Sequence, residues 1–357
     1  MKLVMIFIGI IVTIAMTSFL ISKNNPDFNE KKPHHRPDGF VNRYQDKYEK
    51  KGLLKWQWER YKEGLPKQPQ NPILGVSPNI ELIHQKLNAM TWIGHSTLLI
   101  QIDGINILTD PHFTDRASPI RFLGPKRHQA PGVPLELLPK IDIILISHNH
   151  YDHLDKPSIQ ALLKKYPKVQ FFVPLGVQYW FKNNILGSKI EGKNKNVTAL
   201  DWDDSYVLKG QTADIVLYFL AVQHWSARAS FDRCETLWGS WGMISPKMKV
   251  WFSGDLGYSK DTKDIGKKLG EIDIAAIAIG AYEPRWFMKE AHINPSEAIQ
   301  VMKDVKAKTA IGIHWGTFEN LSDEALDTPP KDLKEALRKH PNTDFRVLKH
   351  GETWVKP

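Results

Sequence analysis

Six consecutive residues, His148-Asn149-His150-Tyr151-Asp152-His153, carry four side chains able to bind a metal ion, and they follow directly on the apolar run IDIILIS at 141–147. Crowding three imidazoles and a carboxylate at one strand end is costly unless a cation gathers them. On an extended segment His148, His150 and Asp152 point to one side, and a tight turn would let His153 swing towards a second ion. The bland alternative is a solvated polar loop that happens to be rich in histidine. With 14 histidines and a single cysteine, Cys234, the chain can build a metal centre only from imidazoles and carboxylates. Further donors are therefore expected at the ends of other strands.

From about residue 88 the sequence alternates strand-sized apolar runs with helix-compatible stretches, which predicts an α/β architecture whose sheets need both faces covered. Runs at 89–102 and 105–109 flank Asp103-Gly104, a hairpin turn pair. Other runs lie at 215–222, 249–253, 274–279, 309–313 and 345–349, with helices expected at 158–166, 176–184, 295–306 and 331–340. Three of these strands end on a ligand-capable residue: His224 after 215–222, Asp255 after 249–253 and His314 after 309–313. Taken singly, His224 and His314 read as interior histidines and Asp255 as a turn residue. Together with His148, His150, Asp152 and His153 they make seven donors, enough for two zinc ions.

At these residues the chain resembles the metallo-β-lactamase fold hydrolases, and within them the N-acyl-phosphatidylethanolamine-hydrolysing phospholipases D. The similarity covers roughly 50–355, on TWIGHSTLLI (91–100), DPHFTDRASP (110–119), GPKR (124–127), SHNHYDHLD (147–155), QHWSAR (223–228), SGDLGY (253–258), YEPRWFM (282–288) and IHWGTF (313–318). The resemblance implies an αββα four-layer sandwich. It also implies one Zn2+ on His148, His150 and His224 and a second on Asp152, His153 and His314, with Asp255 and a hydroxide bridging the two and Asp110 behind them. His292 is the candidate for protonating the leaving group or positioning the substrate, and Tyr151 for a hydrogen bond to a phosphoryl oxygen. Mammalian-type members carry Gln before the histidine matched by His292, where this chain has Ala291. The implied reaction is hydrolysis of N-acyl-phosphatidylethanolamine to N-acylethanolamine and phosphatidate. The residues alone leave open another phosphodiester or a lactone as substrate, or a tethered binding protein with a non-catalytic metal site.

The start of the chain is different. Residues 3–22 are uncharged and, at about 1.5 Å per residue, could cross a bilayer as a helix. The expected organisation is a transmembrane anchor or signal sequence at 1–23, a polar linker at 24–50 with His34 and His35 in solvent, and the hydrolase domain at 51–357. That makes the protein membrane-anchored, with its orientation open. Residues 1–70 hold 13 Lys/Arg against 7 Asp/Glu, six of the chain's nine net positive charges. The excess therefore points to anionic lipid and away from nucleic acid. Leu53, Leu54, Trp56, Trp58 and Tyr61 alternate with basic residues, as an interfacial helix would or as a helix docked on the body would. Trp56, Trp58, Tyr179, Trp180 and Phe181 are candidate entrance residues, with core packing as the alternative. The expected partners are a phospholipid substrate, a membrane and a second copy of the chain as a homodimer.

Overall fold

The computed structural model describes residues 24–45, 52–70, 73, 75–120, 122–186 and 196–357. A two-residue hairpin, β1 (His35–Arg36) and β2 (Gly39–Phe40), precedes the main sheets. The strands that follow are β3 (Ala89–Gly94), β4 (Thr97–Ile102), β5 (Ile105–Thr109), β6 (Ile143–Leu145), β7 (Gln170–Pro174), β8 (Val197–Leu200) and β9 (Ser205–Lys209). They continue as β10 (Asp214–Leu220), β11 (Ser240–Ile244), β12 (Lys249–Phe252), β13 (Ile272–Ala278), β14 (Ala307–Ile313), β15 (Asp344–Arg346) and β16 (Thr353–Val355). They form two seven-stranded sheets, ordered β16-β3-β4-β5-β6-β7-β8 and β15-β14-β13-β12-β11-β10-β9.

Period-two alternation puts the first sheet between two apolar layers. Leu98, Ile100, Ile107, Leu145 and Phe172 face inwards and share a core with Ile215, Phe219, Trp241 and Phe252 of the second sheet. Leu99, Leu108, Ile144, Phe171 and Val173 face outwards, under Ile159 and Leu162 of the helix Lys156–Lys165 and Phe181 of the helix Val177–Phe181. Helices Asp261–Leu269 and Pro295–Asp304 cover the far side of the second sheet, adding Ile265, Ile299 and Met302 to its core. The layers thus run helix, sheet, sheet, helix.

The expected hairpin at Asp103-Gly104 is present, with positive φ at both residues (47° and 78°), as a primed two-residue turn requires. The run 89–102, however, is two strands. It folds back at His95-Ser96, with Gly94 at φ 141° and His95 at φ 51°. Polar residues in the middle of an apolar run marked that reversal.

Residues 24–45 correct the expectation of a flexible linker. They form a strap packed on the body, with Phe40 in the core and its amide bonded to the Cys234 carbonyl. His34 and His35 are buried, and their Nε2 atoms face Asp201 at 2.7 and 3.1 Å. The helix Leu53–Glu63 is docked too. Trp56 is buried, stacks on Phe287 and donates to Asp323, whereas Leu54, Trp58 and Tyr61 face outwards. Phe181 is likewise a core residue.

Membrane anchoring is also corrected. Among the described residues no helix is long and apolar enough to cross a membrane. The segment 3–22, on which that expectation rested, lies outside the described residues.

Candidate metal centre

Every donor of the cluster leaves a strand at the same end of the sandwich. β6 ends at Leu145, and the loop Ser147–His153 follows it, turning tightly because the His153 and Leu154 amides both reach the His150 carbonyl. The loop closes into a helix at once, since the Asp155 side chain accepts the Ser158 amide as an N-cap, worth about 1 kcal/mol. β10, β12 and β14 deliver His224, Asp255 and His314. His95, Asp110 and His314 hold left-handed backbone (φ 51°, 34° and 63°), strain of about 1–3 kcal/mol each of the kind that collects at functional sites.

The donors fall into two pockets joined by Asp255. His148, His150, His224 and Asp255 form one; His95, Asp152, His153 and His314 form the other. In the first, His148 Nε2 lies 2.7 Å from His150 Nδ1, and His148 and His224 Nε2 lie 3.9 and 3.8 Å from Asp255 Oδ2. In the second, His153 and His314 Nε2 each lie 3.4 Å from Asp152 Oδ2. Asp255 reaches across, 3.1 Å from His153 and 3.2 Å from His314.

Buried polar atoms are normally paired, yet His153 Nε2, His224 Nε2, His314 Nε2 and Asp255 Oδ1 make no well-formed hydrogen bond and have only the cluster's own members close by. The far sides of the His153 and His224 rings are held instead, whereas His314 Nδ1 is unpartnered too. His153 Nδ1 meets Asp110, which also takes the Ser147 amide, and His224 Nδ1 donates to the Ala291 carbonyl. Fixing one nitrogen and leaving the other bare is how a protein orients an imidazole towards a metal, so these residues fit divalent cations.

The charge balance agrees. Burial pushes His148 and His224 far down and His150 to about 3, which leaves neutral rings with lone pairs. For His153 and His314 burial is outweighed by Asp255 and Asp152, which raise His314 to about 9 and His153 well above its usual value. Those protons stand where a cation's charge would go.

His292 joins the rim, its Nδ1 unpartnered and 3.9 Å from Asp255 Oδ2. Its carbonyl accepts from Arg285, which pairs with Glu297, the capping-box residue of Pro295–Asp304. Tyr151 lies under the Arg228 guanidinium, 3.9 Å from its ring centroid. Arg228 in turn donates to the Asn149 and Leu154 carbonyls and so staples the metal loop.

Two residues were not singled out from the sequence. His95 Nε2 lies 2.9 Å from Asp152 Oδ2, its ring lies beside His314, and its carbonyl accepts the His314 amide. The polar break at Gly94-His95-Ser96 was the available signal. Asn42, on the strap, bonds both backbone groups of His224, and no local pattern announces that.

A family model described as the beta-lactamase superfamily domain matches residues 105–315. Over 270 residues, 74% of this chain and 74% of the relative, the sequence is 43% identical to the N-acyl-phosphatidylethanolamine-hydrolyzing phospholipase D 1 of Caenorhabditis elegans. The mitochondrial N-acyl-phosphatidylethanolamine-hydrolyzing phospholipase D of Saccharomyces cerevisiae is 34% identical over 250 residues, 69% of this chain and 51% of that one. A solved metallo hydrolase from the archaeon Ignicoccus hospitalis shares the fold, with a TM-score of 0.53 at 18% identity over 74% of this chain and 97% of its own. The chain belongs to the beta-lactamase superfamily and, within it, to the family of N-acyl-phosphatidylethanolamine-hydrolysing phospholipases D.

Proposed function

We propose that this protein is a metal-dependent phosphodiesterase of the phospholipase D type, which hydrolyses N-acyl-phosphatidylethanolamine to N-acylethanolamine and phosphatidate. The observation that carries this reading is the convergence of seven buried or half-buried His and Asp donors, among them the unpartnered Nε2 atoms of His150, His153, His224 and His314, in a chain of that family. In this proposal two zinc ions are held, one by His148, His150 and His224 and the other by Asp152, His153 and His314, with Asp255 shared. Bound there, such ions would polarise a phosphoryl oxygen and make water acidic enough to act near neutral pH.

The protein's own groups do the rest. Arg228 puts a guanidinium beside the metal loop, where it attracts the phosphodiester anion, and its contact with Tyr151 keeps that ring at the rim. Burial lowers His292 to about 4, so it meets substrate as a neutral imidazole. That favours positioning by hydrogen bond over proton donation as an imidazolium.

A membrane surface as the source of substrate belongs to the same proposal. Leu54, Trp58 and Tyr61 on the outer face of Leu53–Glu63, and the exposed Phe122 and Leu123, offer apolar side chains to a lipid surface. Lys55 and Lys62 stand among them for anionic headgroups. A groove of about 620 Å3 alongside that helix is lined by Gln57, Arg60, Tyr61, Leu65, Pro125 and Leu321. Pairing of two copies is part of this reading too, checked by light scattering.

The test is purified protein with defined phospholipids, with and without chelator, reading released N-acylethanolamine against choline and diacylglycerol. Chelator-sensitive N-acylethanolamine release is expected. Equal turnover of a lactone or a soluble phosphodiester, or turnover that survives chelation, would refute the assignment.

A further inference from the structure

The strap Asn25–Gln45 touches the metal centre at one residue, His224. β10 stops pairing with β11 at Leu220↔Ser240, and beyond it Gln223 keeps a single bridge to Gly257, after which the His224 amide and carbonyl take their bonds outside the sheet. Asn42 supplies those bonds with its side chain. Its Oδ1 accepts the His224 amide at 3.0 Å and its Nδ2 donates to the His224 carbonyl at 3.1 Å. The Trp238 indole fixes the same Oδ1 at 3.2 Å, and Gln45, bonded to Asn42, also reaches Glu290. With the Ala291 carbonyl on Nδ1, the His224 ring is held from the backbone and from behind.

The other end of the strap is clasped. His34 and His35 meet the two oxygens of Asp201, Lys32 adds an ammonium at 3.2 Å, and His34 stacks on Trp202. Between the two ends Gly39 lies against residues 234–235 so closely that a Cβ would sit 2.2 Å from the Cys234 carbonyl oxygen. The strap is therefore seated along its length by specific contacts.

We propose that the strap is a working part of the metal centre: Asn42 is the positioning residue for His224, and the His34–His35–Asp201 clasp keeps Asn42 in place. This rests on His224 being a metal ligand. A side-chain amide in place of a strand partner sets where the imidazole stands, and loosening such outer contacts weakens metal binding about 10–100-fold. The effect should fall on the His148/His150/His224 pocket and spare the pocket built on Asp152, His153 and His314.

The test is a Co2+ titration of the metal-free full chain, followed by d–d absorption, with circular dichroism to establish folding. Asn42→Ala should weaken one class of sites by about 10–100-fold and leave the other unchanged. Asn42→Asp keeps the acceptor for the His224 amide and should recover part of the loss. His224→Ala is the control and should remove that class. If His224→Ala titrates like the wild type, the ligand assignment itself fails. If His224→Ala loses the class while Asn42→Ala matches the wild type, the positioning role fails. Should Asn42→Ala not fold, Asp201→Asn, which alters nothing beside His224, should still weaken the same class about 3–10-fold; an unchanged isotherm would overturn the proposal.

Discussion

At the strand ends, buried imidazoles turn bare nitrogens towards one another and towards Asp255, whereas under the strap His34 and His35 turn theirs onto the oxygens of Asp201. Both are largely buried His/Asp clusters, and the donor atoms of the strap cluster, like those of each strand-end pocket, lie within 4.8 Å of one another. They differ in what remains unsatisfied. In the strap cluster two imidazoles and the Lys32 ammonium already answer one carboxylate, and burial, which would raise Asp201, is outweighed so that its carboxyl stays well below the usual range. In the strand-end cluster several nitrogens and an Asp255 oxygen have nothing but one another. Residue type does not distinguish a cation site from a clasp; unmet hydrogen-bonding demand does.

The largest expected effect separates the two clusters outright. Asp255→Ala should lower phospholipid turnover by about three orders of magnitude or more, because both pockets lose their shared donor. Asp201→Asn should leave the number of metal ions bound at saturation unchanged. A mass-spectrometric metal count with initial rates would break the comparison if Asp201→Asn lost an equivalent.

His95→Ala comes next. Without the imidazole 2.9 Å from Asp152, metal affinity in the second pocket should fall about 10–100-fold, read by competition with a chromophoric chelator. Affinity unchanged within threefold would reduce His95 to packing.

The third concerns pH. His314, raised to about 9, and His153, raised well above its ordinary value by Asp255 and Asp152, are protonated at neutral pH without metal. Binding must displace those protons, so affinity should weaken about tenfold per pH unit for each proton displaced as pH falls below about 9. Calorimetry in buffers of differing ionisation enthalpy measures the release. No proton release at pH 7 would contradict this charge balance.

The smallest effect is at the surface. Leu54→Glu with Tyr61→Glu should slow turnover on anionic vesicles several-fold and spare substrate in mixed micelles, since both side chains face outwards. Equal loss in both assays would point to damage of the fold.

Much of the scaffold was legible locally. Apolar runs ending in His or Asp gave the strands, and Asp103-Gly104 gave its hairpin, because period-two burial and a left-handed turn pair leave marks a few residues long. The reversal at His95 was hidden inside an apolar run, and His95 went unassigned with it. The strap was misread for another reason. Its polar, proline-punctuated composition is that of a linker, yet its polar groups are consumed by distant partners, Asp201 for the histidines and His224 for Asn42.

The sequence by itself determined which donor types could form a metal centre and where in the chain they lay, since one cysteine and a histidine-rich strand end leave little choice. Tertiary structure decided which histidines keep a bare nitrogen and which are bonded away. That depends on partners as far apart as Asn42 and His224, which only the packing of the two sheets and the strap brings within 3.0 Å.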